Sequence, residues 1–374
     1  MAPIGEDFVD LEQPIEPPPV GNLQCLEPRA LGFFSLNKYR AFRNDASQLG
    51  LIKVPRPHGF PLNMNVTIDP GFSKELKHFY GDYLDHLLRY MVASPMRFFA
   101  VNAAGPGILA RVTIVCQMEL LQEVMCTPYN CTENWRVVAH RYRNTSYMCL
   151  EEPAGVANPS QQQSNNFEAV LKQIMCHGGQ EYLPNWLEGM SEYKNVFFGS
   201  LDDDVSILYD ATMGGARVRN KFVNSPLATL SNLRFMDFKL GRCVTTSYHS
   251  DSSACFGPME ALAWWSECYL KNVNHIYVGC GYPVGVVNCL KNQTPVSLIN
   301  HSKDLWRPNV CHVFLANTLR KMLRAMEGTD DPCTTFEFNY VAEKRKIYVR
   351  KESGANRYSH LPDWYVRMME DCPE

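Results

Sequence analysis

From residue 25 to residue 374, short stretches of period-two alternation keep giving way to stretches of helical spacing. No internal repeat and no break in composition interrupts them. Interleaving of this kind predicts one large α+β domain over 25–374. Residues 1–24 stand apart: they are acidic and rich in proline (Pro14, Pro17, Pro18, Pro19), and read as a disordered leader. Two uses remain open for the leader, a peptide offered to a partner or a frayed terminus.

Helical spacing is clearest at 74–93, 167–177, 258–271 and 309–327. Gly178-Gly179 and Gly328 mark the ends of the second and fourth, and Pro258 suits the first turn of the third. Strands are expected at 135–142 and 145–150, across 195–223 as strand, turn, strand and strand, at 274–281 and 284–290, and as a hairpin at 336–341 and 346–350. Residues 31–51 read as an extended segment over the core. The stretch 109–125 begins with strand alternation and fits a helix equally. Residues 153–166 and 243–256 read as exposed loops, and Asp202-Asp203-Asp204 as a turn.

A hydrophobic share of 45%, with 11% aromatic, suffices for a large core, and the net charge of −3 gives no global bias toward nucleic acid. Any RNA surface must therefore be local. No apolar run reaches membrane-spanning length and the acidic start is unlike a signal peptide, so a soluble intracellular chain is expected. The 14 cysteines form no Cys-x-x-Cys pair. They read as small apolar core residues of a reducing compartment. His140, His177, His249 and His312 show no metal-ligand spacing. Trp264 and Trp265, adjacent on a helix, point apart, so at least one belongs to the core.

The chemistry concentrates in two strands about twenty residues apart. Side chains on a strand alternate between faces, so Arg217, Arg219 and Lys221 share one face of their strand, and so do Asp237 and Lys239 of theirs. An Asp-x-Lys strand beside a strand of inward polar residues is the skeleton of a metal-dependent nuclease. Such a site needs two or more carboxylates for magnesium and a lysine for the phosphate or the attacking water. Here the partner strand offers arginines, which neither deprotonate nor ligate magnesium.

The order of several segments resembles the DXO family of decapping exoribonucleases. They include Gly32-Phe33-Phe34-Ser35-Leu36, Tyr83-Leu84-Asp85-His86-Leu87-Leu88, Thr127-Pro128-Tyr129 before Trp135, and Arg141 followed by Thr145 and Tyr147. Then come Asp237-Phe238-Lys239, Trp264-Trp265, Trp306-Arg307-Pro308-Asn309-Val310-Cys311 and Leu361-Pro362-Asp363-Trp364-Tyr365. The resemblance implies two mixed or antiparallel sheets flanked by helices, a pocket between the sheets, and action at RNA 5′ ends.

It also implies magnesium bound by a Phe-Glu-type motif, a Gly-Glu-x-Asp motif and a Glu-x-Lys motif. This chain departs at each. Gln180 or Glu181 falls at the first, Arg217 and Arg219 at the second, and Asp237 with Lys239 at the third. Glu267 stands where the family has glutamine, and Arg141 matches an arginine of the RNA pocket.

The expectation is a member without an intact catalytic or metal site and without a cofactor. Arg141, Arg217, Arg219, Lys221 and Lys239 would hold an RNA 5′ phosphate. The alternative for the arginines is internal pairing of Arg217 or Arg219 with Asp237. Loss of the ligands resembles the insect germline branch of the family. That branch implies a nuclear factor with protein partners at piRNA-source loci, protecting transcripts from 5′-end processing, termination and splicing. Two other readings stay open: an active magnesium nuclease whose acids come from Asp210 or Asp202–Asp204, and a protein-interaction scaffold without RNA. A basic hairpin arm (Lys344, Arg345, Lys346, Arg350, Lys351) is a further candidate phosphate grip.

Overall fold

The computed structural model describes residues 6–10, 25–53, 59–63, 82–99, 108–151, 159–177, 190–201, 204–218, 233–242, 255–281 and 286–371. Two sheets organise it. The larger runs, in spatial order, β1 (Glu6–Asp10), β16 (Lys346–Glu352), β15 (Asp331–Val341), β6 (Trp135–Tyr142), β7 (Thr145–Glu151), β5 (Ile114–Gln117), β9 (Ser206–Thr212), β8 (Glu192–Ser200), β2 (Arg29–Leu36) and β3 (Phe42–Arg43). The smaller runs β10 (Gly215–Val218), β11 (Leu233–Arg242), β12 (Ile276–Gly281) and β14 (Cys289–Gln293). Each sheet is mixed: β5 lies parallel to β7 and β9, and β11 parallel to β12, whereas the other ladders are antiparallel. A short ribbon pairs β4 (Leu62–Asn63) with β13 (Val286–Val287).

The predicted α+β class holds, and most expected elements are present. The hairpin of β6 and β7 turns at Arg143 and Asn144, both at positive φ (51° and 61°), as a two-residue connection demands. Residues 109–125 divide into β5 and then helix, so both readings of that stretch are correct in part. Among the described residues the helices of two turns or more are α1 (Asp85–Ala93), α2 (Met118–Cys126), α3 (Pro159–His177), α4 (Pro258–Leu270), α5 (Pro295–Ser302), α6 (Pro308–Ala325) and α7 (Asp363–Glu370), and a single turn at Pro95–Phe98 follows α1.

Several expectations need correction. α3 begins at Pro159, inside the stretch read as loop, because proline suits a helix start. Glu6–Asp10, inside the leader read as disordered, form a strand on the free edge of β16. That strand is the basic arm of the last hairpin, and edge backbone groups pair with any extended segment in reach. α5 is additional; Thr294 caps it by accepting from Ser297 N, with Pro295 at its first position. Cys255 and Cys280 are joined as a disulfide, contrary to the reading of all cysteines as free.

Three apolar clusters hold the elements in place. The largest fills the space between the two sheets: Tyr209, Phe197 and Ile207 on one side, Ile276 and Val278 on the other, with Trp265, Leu262 and Leu270 of α4 between. Trp264 and Trp265 are both buried, so neither is a stacking platform for a base. A second cluster lies on the opposite face of the large sheet, where Val196 and Leu208 meet α1. A third packs α3 against Phe238. Asp237 and Lys239 therefore sit on the inner face of the small sheet, beside α4.

Candidate functional site

The register of β10 and β11 decides which side chains meet. Gly215 stands opposite Met236, Ala216 opposite Phe235 and Arg217 opposite Arg234. Directly opposed residues share a face, so Asp237 shares its face with Gly214 and Ala216. The contact is close: a Cβ at Gly214 would lie 2.4 Å from Asp237 Oδ1 and 2.5 Å from Met236 O. Arg217 lies on the other face, exposed, where its Nη2 donates to Tyr277 Oη at 2.6 Å and its guanidinium stands over the Tyr277 ring. Tyr277 in turn stacks on Phe238. The expectation that Arg217 and Asp237 occupy one pocket is thus corrected. A shift of one residue in register exchanges every face.

What meets Asp237 is a lysine. Lys271 follows the last turn of α4, and its Nζ lies 3.0 Å from Asp237 Oδ2 and 2.5 Å from Glu267 Oε1. Lys239 Nζ takes the other Glu267 oxygen, Oε2, at 2.6 Å, and reaches Glu168 Oε2 of α3 at 3.8 Å. The result is a chain of alternating charge: Asp237, Lys271, Glu267, Lys239, Glu168. Lys172, one turn after Glu168, donates to Met213 O at 2.9 Å. Glu168 Oε1 also accepts from Leu240 N, which ties α3 to β11.

Burial sets the electrostatics. The side chains of Asp237 and Lys271 are only 5% and 6% exposed. Burial pushes the Glu267 carboxyl up, but Lys239 and Lys271 outweigh it and hold it down at about 2. For Lys271, burial pulls down and Asp237 and Glu267 raise it further, so its ammonium is held well above the usual lysine range. Lys239 is raised in the same way by Glu267 and Glu168. Lys172 is pulled below the lysine range, chiefly by burial.

A model of the RAI1-like PD-(D/E)XK nuclease matches residues 26–366. The chain belongs to this family. Among relatives, Protein cutoff of Drosophila melanogaster is 23% identical over 356 residues, spanning 92% of this chain and 88% of its own. The decapping and exoribonuclease protein of Mus musculus is 25% identical over 372 residues, spanning 92% and 86%. The fold is that of Candida albicans Rai1, solved in complex with pU5-Mn2+: TM-score 0.68 at 10% identity, over 98% of this chain and 100% of that one.

Set beside the family motifs, the donor set among the described residues does not fit a divalent ion. The two acids of a Gly-Glu-x-Asp motif, being two apart, share one face of a strand. On β10 Ala216 and Val218 share the face of Asp237, as does Gly214 just before the strand, and none of the three carries a ligating atom. Asp237 and Glu267 are each committed to an ammonium, and a second cation would meet Lys271 at close range. Among the described residues no group of three His, Cys, Asp or Glu is arranged to hold a metal.

The other candidates disperse. Asp210 does not complete the set, because it pairs with Lys194 at 2.7 Å. It also points to the face of β9 opposite Tyr209, whose hydroxyl reaches Leu270 O. Arg141 shares a row with Ser146, Ile114 and Ile207. That row puts it about 14 Å across three strand spacings and about 10 Å along the strand from Asp210. Gln180, Glu181, Arg219, Lys221, Asp202 and Asp203 lie outside the described residues. Lys271 and Lys172 escaped the sequence reading. The signal was present as two pairs four apart on helices, Glu267 with Lys271 and Glu168 with Lys172.

Proposed function

We propose that this chain is a non-hydrolysing member of its family, one that binds RNA 5′ ends or nascent transcripts and shields them from processing, termination and decay. The observation that carries this reading is the Lys271 ammonium between Asp237 and Glu267. An ammonium neutralises the carboxylates as a metal would. It supplies no Lewis acidity and no activated water. The nearest positions on that face, Gly214 just before β10 and Ala216 on it, offer nothing to rebuild the site. A structure of the same fold that holds pU5 supports RNA as the ligand class.

In this reading Lys239 is spent on Glu267 and does not meet phosphate. The phosphate contacts come from Arg217 together with Arg219 and Lys221. The likeness to Protein cutoff supports the germline branch, and with it a nuclear place at piRNA-source loci and recruitment by protein partners. Two assays test the proposal. In single-turnover reactions with 5′-monophosphate and capped RNAs, magnesium or manganese yields no cleavage by the pure chain. By fluorescence anisotropy, 5′-monophosphate RNA binds and the binding survives EDTA. Metal-dependent cleavage overturns the first half; failure to bind RNA overturns the second.

A further inference from the structure

Without β1, β16 would be an edge of the large sheet, and it is cationic. Lys344, Arg345, Lys346, Arg350 and Lys351 fall within residues 344–352, against one acid, Glu352. On its inner side β16 pairs with β15 along all seven of its residues, Lys346 to Glu352. On its outer side β1 covers only part of it: Glu6 stands opposite Val349, Asp7 opposite Tyr348, Val9 opposite Ile347 and Asp10 opposite Lys346. Among the described residues, Arg350, Lys351 and Glu352 have no strand on that side. Unpaired backbone groups on an edge are a template for another strand.

The register of the resident strand says what this edge selects. Phe8 has no counterpart, because β1 advances from Asp7 to Val9 while β16 advances one residue, from Tyr348 to Ile347. Asp7 and Asp10 are three apart and would fall on opposite faces of a regular strand. With the extra residue they stand opposite Tyr348 and Lys346, which are two apart and share a face with Arg350. Lys344 Nζ lies 5.7 Å over the Tyr348 ring. The bulge therefore sets two acids on the basic row of β16, and opposite charges across a strand pair attract. Yet the ladder is only four pairs long and interrupted. Residues 11–28 tether it to β2, eight places away in the order of the sheet, so its effective concentration is about millimolar at most.

We propose that the outer edge of β16 is a docking site for an extended acidic segment of a partner protein. The segment adds antiparallel along the seven residues of β16, and Glu6–Asp10 is the resident strand that it displaces. In strand addition the main-chain hydrogen bonds give affinity and the side chains give selectivity. The proposal does not rest on the RNA-binding reading, and either can fail without the other.

The test is anisotropy of a labelled synthetic peptide of residues 4–12 on the full chain. Successive N–H groups of a strand point to opposite sides, so Phe8→Pro/Val9→Pro removes a ladder donor whichever of the two faces β16, and frees the edge. The peptide is expected to bind this variant at least tenfold more tightly than the wild type. Adding Lys346→Glu is expected to cost about fivefold, and a peptide carrying Asp10→Lys to recover it, which a misfolded chain could not show. No binding of the peptide to the Phe8→Pro/Val9→Pro chain overturns the proposal. Equal binding of a scrambled peptide, or displacement of the peptide by single-stranded RNA at matched charge, makes the arm a general polyanion grip and overturns it as well. A wild type that sediments as a dimer, and as a monomer once Phe8→Pro/Val9→Pro is introduced, gives the edge to the leader of a second copy and overturns the partner.

Discussion

Lys271 Nζ lies 3.0 Å from Asp237 Oδ2, on the carboxylate that an Asp-x-Lys strand would otherwise present to a divalent ion. The pair is almost wholly buried, and Glu267 and Lys239 extend it into a chain of alternating charge. A buried ion pair adds little net stability against an apolar replacement of both partners, yet removal of one partner alone is severe. Lys271→Met is therefore expected to destabilise the fold by about 3–5 kcal/mol in urea unfolding, because Asp237 and Glu267 lose their shared cation. A loss below about 1 kcal/mol, the range of exposed pairs, would place the pair in solvent.

Gly214 makes the approach of β10 to Asp237 possible. Its would-be Cβ meets Asp237 Oδ1 at 2.4 Å and backbone oxygen of Met236 at 2.5 Å. Gly214→Ala should therefore lower stability by about 1–3 kcal/mol, the usual cost of overpacking. Gly214→Glu should do so more strongly, and restore no activity. A neutral Gly214→Ala in thermal melting would contradict the close strand approach.

The faces of β10 give a third expectation. Arg217 and Asp237 lie on opposite sides of the small sheet, so they should act independently. A double-mutant cycle of Arg217→Ala with Asp237→Asn is expected to be additive within about 0.5 kcal/mol, whereas residues in contact couple by about 0.5–3 kcal/mol. Coupling of that size would mean the arginine reaches the aspartate after all.

Acid should dismantle the network in a defined window. Glu267 is held at about 2 in the folded chain, against about 4.3 for an unperturbed glutamate. A depressed carboxyl contributes stability above its unfolded value and loses it as pH falls through the folded one. The stability difference between wild type and Glu267→Gln is expected to be flat above about pH 5 and to shrink toward pH 2, by on the order of 2–3 kcal/mol. Lys271 and Lys239, both raised, act in the opposite sense: their contribution is complete below the unfolded lysine value and is lost above it. A difference that stays constant down to pH 2 would argue against the pairing.

Much of the fold was legible because its signals are local. The turn between β6 and β7, the helices ended by Gly328 or started by Pro258, and the alternation along β11 are all written within a few residues. The site was legible only in part. Alternation told which residues of one strand share a face, so Asp237 and Lys239 were correctly joined. It does not tell how two strands align, and the step from Arg217 to Gly214 is a matter of register alone. Lys271 was invisible for a related reason, since a helix residue meets Asp237 only once α4 is docked between the sheets. The strand at Glu6–Asp10 depends on β16, some 340 residues away, and nothing in the leader announces it.

Manganese binding tests the replacement of metal by lysine most directly. Titration of the pure chain with Mn2+, followed by electron paramagnetic resonance of the free ion, should give the same curve for the wild type and Asp237→Asn, since Asp237 is already held by Lys271. Stoichiometric binding by the wild type that Asp237→Asn abolishes would show that a divalent ion displaces the ammonium, and would return this chain to the metal-dependent nucleases.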